Sequence, residues 1–325
     1  MQTSFDFVLS LRFFLFTVLA TISGALQAQT SEVKIYGYLD LGIVKETGTT
    51  ARLDRGLNNW LGVKGSEDLG NGSMATFHLQ MRFNPDTGAQ ERTSTLFQGE
   101  TMVGLKSTAG HLRLGRALTP LWQEKWLYDP WYDSGFMGSL ETYNGDFNSD
   151  GLPSADFHNY SRASNSIFYG SPASAGMLGN FRFSTMIEIE KPESAPDRSR
   201  SFSVNYASGP ITAMLAYEKN HIADSIIYVA GSYLLDKFTL IASYSRTTFA
   251  VSDIKLSSGL IAGTYSFNGN TIRLGYGRLH ESGNNKYSLG YNHAMSKRTN
   301  IYFDVYRERT IKSTIGQAVG INHAF

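Results

Sequence analysis

Segments of about ten residues in which apolar and polar side chains alternate recur along almost all of this chain, and that pattern leaves few folds open. In VKIYGYLDLGIV (33–44), Val33, Ile35, Leu39, Leu41 and Ile43 share one face, while Lys34, Tyr36, Tyr38 and Asp40 share the other. SMATFHLQMRF (73–83) repeats the theme, with Phe77, Leu79 and Met81 opposed by His78, Gln80 and Arg82. Comparable stretches occupy 58–66, 95–106, 110–117, 163–170, 180–190, 200–208, 211–219, 226–235, 237–249, 255–267, 270–280, 286–295, 299–310 and 314–325, about 16 in all. Period two makes a strand with one apolar and one polar face, and about ten tilted residues cross a hydrocarbon layer. A soluble β-sandwich also buries one face per strand, so alternation by itself leaves that fold open.

The connectors and chain ends narrow the choice. Links such as 67–72, 235–237, 268–270 and 296–298 are short and polar, whereas 45–59 and 191–200 are longer and richer in charge. Short turns on one rim and long loops on the other describe an up-and-down barrel. Tyrosines near strand ends (Tyr36, Tyr206, Tyr217, Tyr228, Tyr244, Tyr265 and Tyr302) suit interfacial girdles. The last strand sets Ile315, Val319, Ile321 and the terminal Phe325 on one face, as a strand closing a barrel seam would. At the other end Arg12 precedes an uncharged run from Phe13 to Leu26, too short to span a bilayer comfortably. It predicts an export signal over residues 1–28, cleaved after Ala28, with 29–325 as the mature barrel. The alternative, a buried N-terminal helix, leaves Asp6 and Arg12 without evident partners.

One stretch obeys no period. Between HLRLGR (111–116) and NSIFYG (165–170) lies an insert from Thr119 to Tyr160, too long for an idle link in a compact domain. Its acids Glu141, Asp146, Asp150 and Asp156 are interleaved with aromatic residues and glycines, which predicts a functional loop. Trp122, Trp126 and Trp131 open it, available either to stack on sugars or to pack inside. Composition supports a large β architecture: 18 Tyr, 20 Phe and 32 Gly stand against 8 Pro. Lys and Arg total 29 against 28 Asp and Glu, a net +1 that argues against a nucleic-acid partner. With no cysteine, thiol catalysis and disulfides are excluded. The seven histidines show no ligand spacing, so neither a metal nor a cofactor is expected.

The segments VKIYGYLDLGIV, LGVKGSEDLGNG, MVGLKS, LRLGRALTPL, RASNSIFYGSP, MSKRTNIYFDVY and VGINHAF, collinear from Val33 to Phe325, resemble the general porins of β-proteobacterial outer membranes. The resemblance implies an all-β, 16-stranded antiparallel transmembrane barrel whose third extracellular loop, about 119–160, folds inward as a constriction. It also implies a homotrimer in outer-membrane lipid and lipopolysaccharide, put together by the barrel assembly machinery with Phe325 as the assembly signal, and passive diffusion of small hydrophilic solutes. Arg162 matches an arginine that the family sets in its constriction. Trp60 and Gly99 stand where it commonly has arginines, so only weak anion selectivity is expected.

A pore selects by width and fixed charge. Arg82, Arg113 and Arg162 share the polar faces of their strands and are expected on the wall opposite the loop acids; Arg116, which breaks alternation with Arg113, is a candidate at a strand end. Rim salt bridges are the alternative use for these arginines. Three other readings compete. A Ser–His hydrolase is not signalled, since GxSxG is missing from the sequence. A channel specific for a sugar or organic acid, or an exported soluble lectin-like protein, would show the same alternation.

Overall fold

Every backbone N–H and C=O inside a bilayer must be paired within the protein, and a sheet achieves this only by closing on itself. In the computed structural model, which describes residues 31–133, 137–151, 161–176, 179–191 and 193–325, the chain does so. The first strands are β1 (Ser31–Glu46), a three-residue β2 (Arg52–Asp54), β3 (Asn59–Gly70), β4 (Ser73–Phe83), β5 (Glu100–Ser107), β6 (Gly110–Leu118) and β7 (Arg162–Gly170). A short β8 (Ser174–Gly176) precedes β9 (Gly179–Glu188), β10 (Arg200–Ser208), β11 (Ile211–Lys219), β12 (Ser225–Leu235) and β13 (Phe238–Phe249). Then follow β14 (Ile254–Phe267), β15 (Asn270–Leu279), β16 (Asn285–Ala294), β17 (Thr299–Arg309) and β18 (Ser313–Ala324).

All but β2 and β8 are staves of one closed antiparallel barrel of 16 strands, as the alternation predicts. β1 makes the closure by changing partner midway. Ser31–Tyr38 pairs with β3, and Tyr38–Glu46 pairs with β18. Phe325 completes the seam, exchanging both backbone hydrogen bonds with Gly37 at 3.0 and 3.1 Å. Its ring lies over Gly37, where any side chain would collide with it. Aromatic cover of a strand glycine is a known way of fixing register.

The two faces of each stave divide as a membrane barrel requires. In β13, Leu240 and Tyr244 are exposed outward while Ser243, Ser245 and Thr247 are buried inward. Here the outside is apolar because lipid is the outer solvent, and the inside is polar. The tyrosine expectation needs correction. Tyr217 and Tyr244 do face outward, and Tyr265 stacks on Phe238 and Phe267 as an outer girdle would. Tyr36 lines the lumen, however, and Tyr228 and Tyr302 are buried against its contents.

The rim holding both ends of the barrel carries tight turns, such as 71–72, 108–109, 236–237 and 268–269. The other rim carries the loops, and they are unequal. Loops 84–99 and 119–161 are long, but 220–224, 250–253, 280–284 and 310–312 are barely longer than turns. The predicted strand over 95–106 accordingly begins only at Glu100, because 95–99 still belong to a loop.

Candidate functional site

The described part of the Thr119–Tyr160 insert lies inside the barrel. Its neck is closed by Thr119 N–H donating to the Ser161 carbonyl at 3.1 Å. Pro120 then starts the short helix α1 (Pro120–Lys125) at a position where its missing N–H costs nothing. A 3-10 turn, Trp126–Tyr128, leads to Asp129, which ties the next residues into a knot. Its carboxylate accepts from Trp131 N (3.1 Å), Ser139 Oγ (2.8 Å) and Leu140 N (2.9 Å). A second knot surrounds Lys125, whose Nζ meets Asp133 Oδ2 at 2.6 Å with both side chains wholly buried. Asn144 donates to both Asp133 oxygens (2.9 and 3.1 Å) and accepts from Tyr228 of β12 and Ser243 of β13. A buried charge unpaired would cost several kcal/mol, so this pair and its amide hold the segment in one conformation.

Most of the ties from the described part of the insert run to the β9–β17 side of the barrel. Trp131 Nε1 donates to Asp304 of β17 at 2.7 Å, Tyr143 Oη to Glu308 at 2.7 Å, and Thr247 of β13 to the Asp146 carbonyl at 3.0 Å. The wall makes room with glycines. A side chain at Gly275 or Gly277 of β15 would run into Leu140 or Tyr143, and one at Gly290 of β16 would meet Trp131. Trp131, Leu140, Tyr143 and Phe147 are therefore buried between loop and wall.

The open water path is left on the opposite side. A cavity of about 630 Å³ lies between the insert and β1, β3, β4 and β5. From the wall it is lined by Tyr36, Tyr38, Trp60, Lys64, His78, Gln80, Arg82, Glu100 and Arg162; from the insert by Trp122, Trp126, Tyr132, Asp133 and Glu141. Arg162 Nε donates to the Gly99 carbonyl at 2.5 Å and its NH1 to Ser161 Oγ at 2.9 Å, so the neck of the loop also aims this guanidinium. Trp60, opposite Arg82 in the ladder, stacks on Tyr38 with centroids 4.9 Å apart. Tyr36 hydrogen-bonds His78 and accepts from Gln80 at 2.9 Å. Across the lumen, Tyr132 and Asp133 both have left-handed backbones (φ 64° and 44°). Residues with a Cβ adopt that conformation at a cost of about 1 kcal/mol or more, and it persists when neighbours over-determine it. Here Trp131 is pinned to Asp304 of the wall and Asp133 to Lys125 and Asn144 within the insert, and between these two anchors Tyr132 borders the lumen.

The expected site residues separate into groups. Arg82 and Arg162 line the cavity, as does Glu141. Arg113 is on the inward face of β6 but lies over the Phe168 ring, 5.4 Å from its centroid. Arg116 has the opposite parity. It donates to the Gln98 carbonyl (2.9 Å) and to Ser164 Oγ (2.8 Å), bridging loop 84–99 to β7. Asp146 is solvent-exposed beside the wall, and Asp150 pairs with Arg92 of loop 84–99 at 3.5 Å. Asp156 and the export signal at 1–28 lie outside the described residues. Reading by residue type missed Lys64, Glu100 and Asp133. The period-two rule applied to β3 and β5 puts Lys64 and Glu100 on the inward face; nothing in the sequence marks Asp133 out from the other loop acids. Among the described residues no group of three or more His, Asp or Glu is placed to hold a metal ion.

A closed barrel with an apolar exterior, a polar interior and a lumen narrowed by an inserted segment is an outer-membrane channel for passive diffusion. Comparison with known proteins agrees. The description "Gram-negative porin" belongs to the family that matches residues 16–312, and the chain belongs to that family. It is 28% identical to outer membrane porin protein 32 of Delftia acidovorans, covering 92% of this chain and 90% of that one. An outer membrane porin protein of Bordetella pertussis is 25% identical over 95% of this chain and 98% of its own length. Among solved structures, an anion-selective porin from Comamonas acidovorans superposes with a TM-score of 0.77 at 25% identity, covering 91% of this chain and all of that one.

Proposed function

We propose that segment 119–160 acts as the constriction of this channel and that the channel is weakly anion-selective. The supporting observation is the nearly balanced charge around the passage. Lys64, Arg82 and Arg162 on the wall face Glu141 on the insert, with Glu100 among the cations and Asp133 neutralised from behind by Lys125. Opposed charges across a narrow waterway create a transverse field that favours dipolar and ionic solutes over apolar ones. A small positive excess then tilts passage toward anions.

The exterior supports a homotrimer. From β18 through β1 to β6 the outward face is mainly aliphatic, with Val33, Ile35, Val103 and Leu105 strongly exposed; Phe77, Phe325, Gln317 and His323 also point outward, but no tyrosine or tryptophan does among the described residues. Belts of tryptophan and tyrosine mark contact with lipid headgroups, so a sector without those two residues suits contact with other copies of the chain. On this reading the leader is removed after Ala28, Phe325 is presented to the assembly machinery, and the girdled sector β9–β16 faces lipid and lipopolysaccharide. No bond-making step is assigned to the lumen.

Purified protein in planar bilayers tests the reading. Conductance in steps that group in threes, with a reversal potential slightly favouring anions in a salt gradient, is expected. Arg162→Gln should move that potential toward cations. Absence of stepwise conductance would overturn the channel reading, and an unmoved potential would make Arg162 a loop support alone.

A further inference from the structure

Several flat rings border the passage. On the wall, Trp60 and Tyr38 form one stacked platform, their planes 15° apart. On the insert, Trp126 and Tyr132 stand edge to face with centroids 5.8 Å apart, and both remain substantially exposed. The Tyr132 ring reaches the lumen by way of a strained left-handed backbone held on both sides by buried neighbours. All four rings border one cavity of about 630 Å³, large enough for a small organic molecule. The cavity is bordered by cations on the wall, with Glu100 among them and Glu141 on the insert. Arg82 is the ladder partner of Trp60, and Lys64 lies on the same inward face of β3.

We propose that this cavity is a subsite for planar aromatic carboxylates. The ring enters between the Tyr38–Trp60 platform and the Trp126–Tyr132 pair, and the carboxylate turns to Lys64 and Arg82. The proposal rests on the channel reading and adds a solute class to it. Rings favour other rings because offset or edge-to-face contact adds attraction beyond the area covered. The carboxylate supplies what a neutral aromatic lacks, a charge that the wall cations attract and that the constriction holds in register. Saturated rings of the same size satisfy the charge requirement but not the stacking one.

The test compares probes that differ in one property at a time. Benzoate, cyclohexanecarboxylate, benzyl alcohol and phenethylammonium are added to single channels in potassium chloride, and the concentration giving half block is measured for each. Benzoate should block at a roughly three- to ten-fold lower concentration than cyclohexanecarboxylate, and benzyl alcohol and phenethylammonium should block weakly. Trp60→Leu should bring the benzoate to cyclohexanecarboxylate ratio to about one, whatever it does to conductance itself. Tyr132→Leu, on the other side, should reduce the same ratio. A ratio near one in the unaltered protein, a ratio that survives both substitutions, or stronger block by phenethylammonium than by benzoate would each overturn the proposal. Absence of any channel would instead remove the reading beneath it.

Discussion

Trp131 is the place at which to pry the inserted loop from the wall. Its side chain is wholly buried, lies where Gly290 leaves space, and donates to Asp304 at 2.7 Å. A buried tryptophan removes roughly 150–250 Å² from water, worth about 4–6 kcal/mol at 25 cal/mol per Å². Measured truncations of such residues cost about 3–5 kcal/mol. Trp131→Ala should therefore ease detachment of the loop by about 3–5 kcal/mol. Trp131→Phe keeps most of the contact area and withdraws only the N–H, leaving a buried Asp304 oxygen unanswered at a cost of about 1–3 kcal/mol. Neither change touches a hydrogen bond between staves, so the barrel should stay closed.

Proteinase K digestion of reconstituted protein reads the effect. Where opening is fast relative to cleavage, the cutting rate within 119–160 follows the open fraction. At 1.4 kcal/mol per tenfold, the alanine variant should be cut on the order of a hundred to several thousand times faster. The phenylalanine variant should be cut roughly five to a hundred and fifty times faster. Mobility on unboiled gels reports the barrel separately. If the alanine variant is cut at the wild-type rate, the loop is held elsewhere. If the two variants are cut equally fast, the hydrogen bond and not the buried area does the holding, and the area argument fails.

Two further outcomes follow from the same geometry. Removal from bulk water, and next the neighbouring Asp133, raise the Glu141 carboxyl well above its ordinary range. Acidification should therefore neutralise Glu141 at a pH above that usual for a glutamate, shifting the reversal potential toward anions; Glu141→Gln should show the shifted potential at neutral pH and abolish that step. Gly277→Leu would drive a side chain into Tyr143, so the loop should be displaced from β15, with larger conductance and faster proteinase K cleavage; unchanged values for both would show that the wall yields instead.

Much of this was legible in the sequence, for a physical reason. Lipid outside and water inside impose period two on every stave, so β1, β4, β13 and β18 could be read with their facing residues. The same parity set Tyr36 with Lys34 and Asp40 on the inward face of β1, and it outweighs the tyrosine's position near a strand end. The insert stood out by having no period, and that absence also hid its internal order. Glu141 and Asp146 differ only in chain length, yet one borders the passage and the other lies exposed beside the opposite wall, because hydrogen bonds accepted by Asp129 and donated by Asn144 decide the loop's path. Gly275, Gly277 and Gly290 looked like ordinary strand glycines; only the loop packed against them explains why they carry no side chain. Asp40, on the same inward face as Lys34, accepts from the Gly56 and Leu57 amides and from Tyr302, pinning loop 47–58.

The shortness of the loops at 250–253 and 310–312 has a practical side. Val251 and Ile311 stand almost fully in solvent in these links. Because the entropy of closing a loop rises only with the logarithm of its length, a grafted peptide of a few tens of residues should cost little at either link. An epitope or affinity tag grafted at either link should therefore leave the barrel closed, with unchanged conductance as the check.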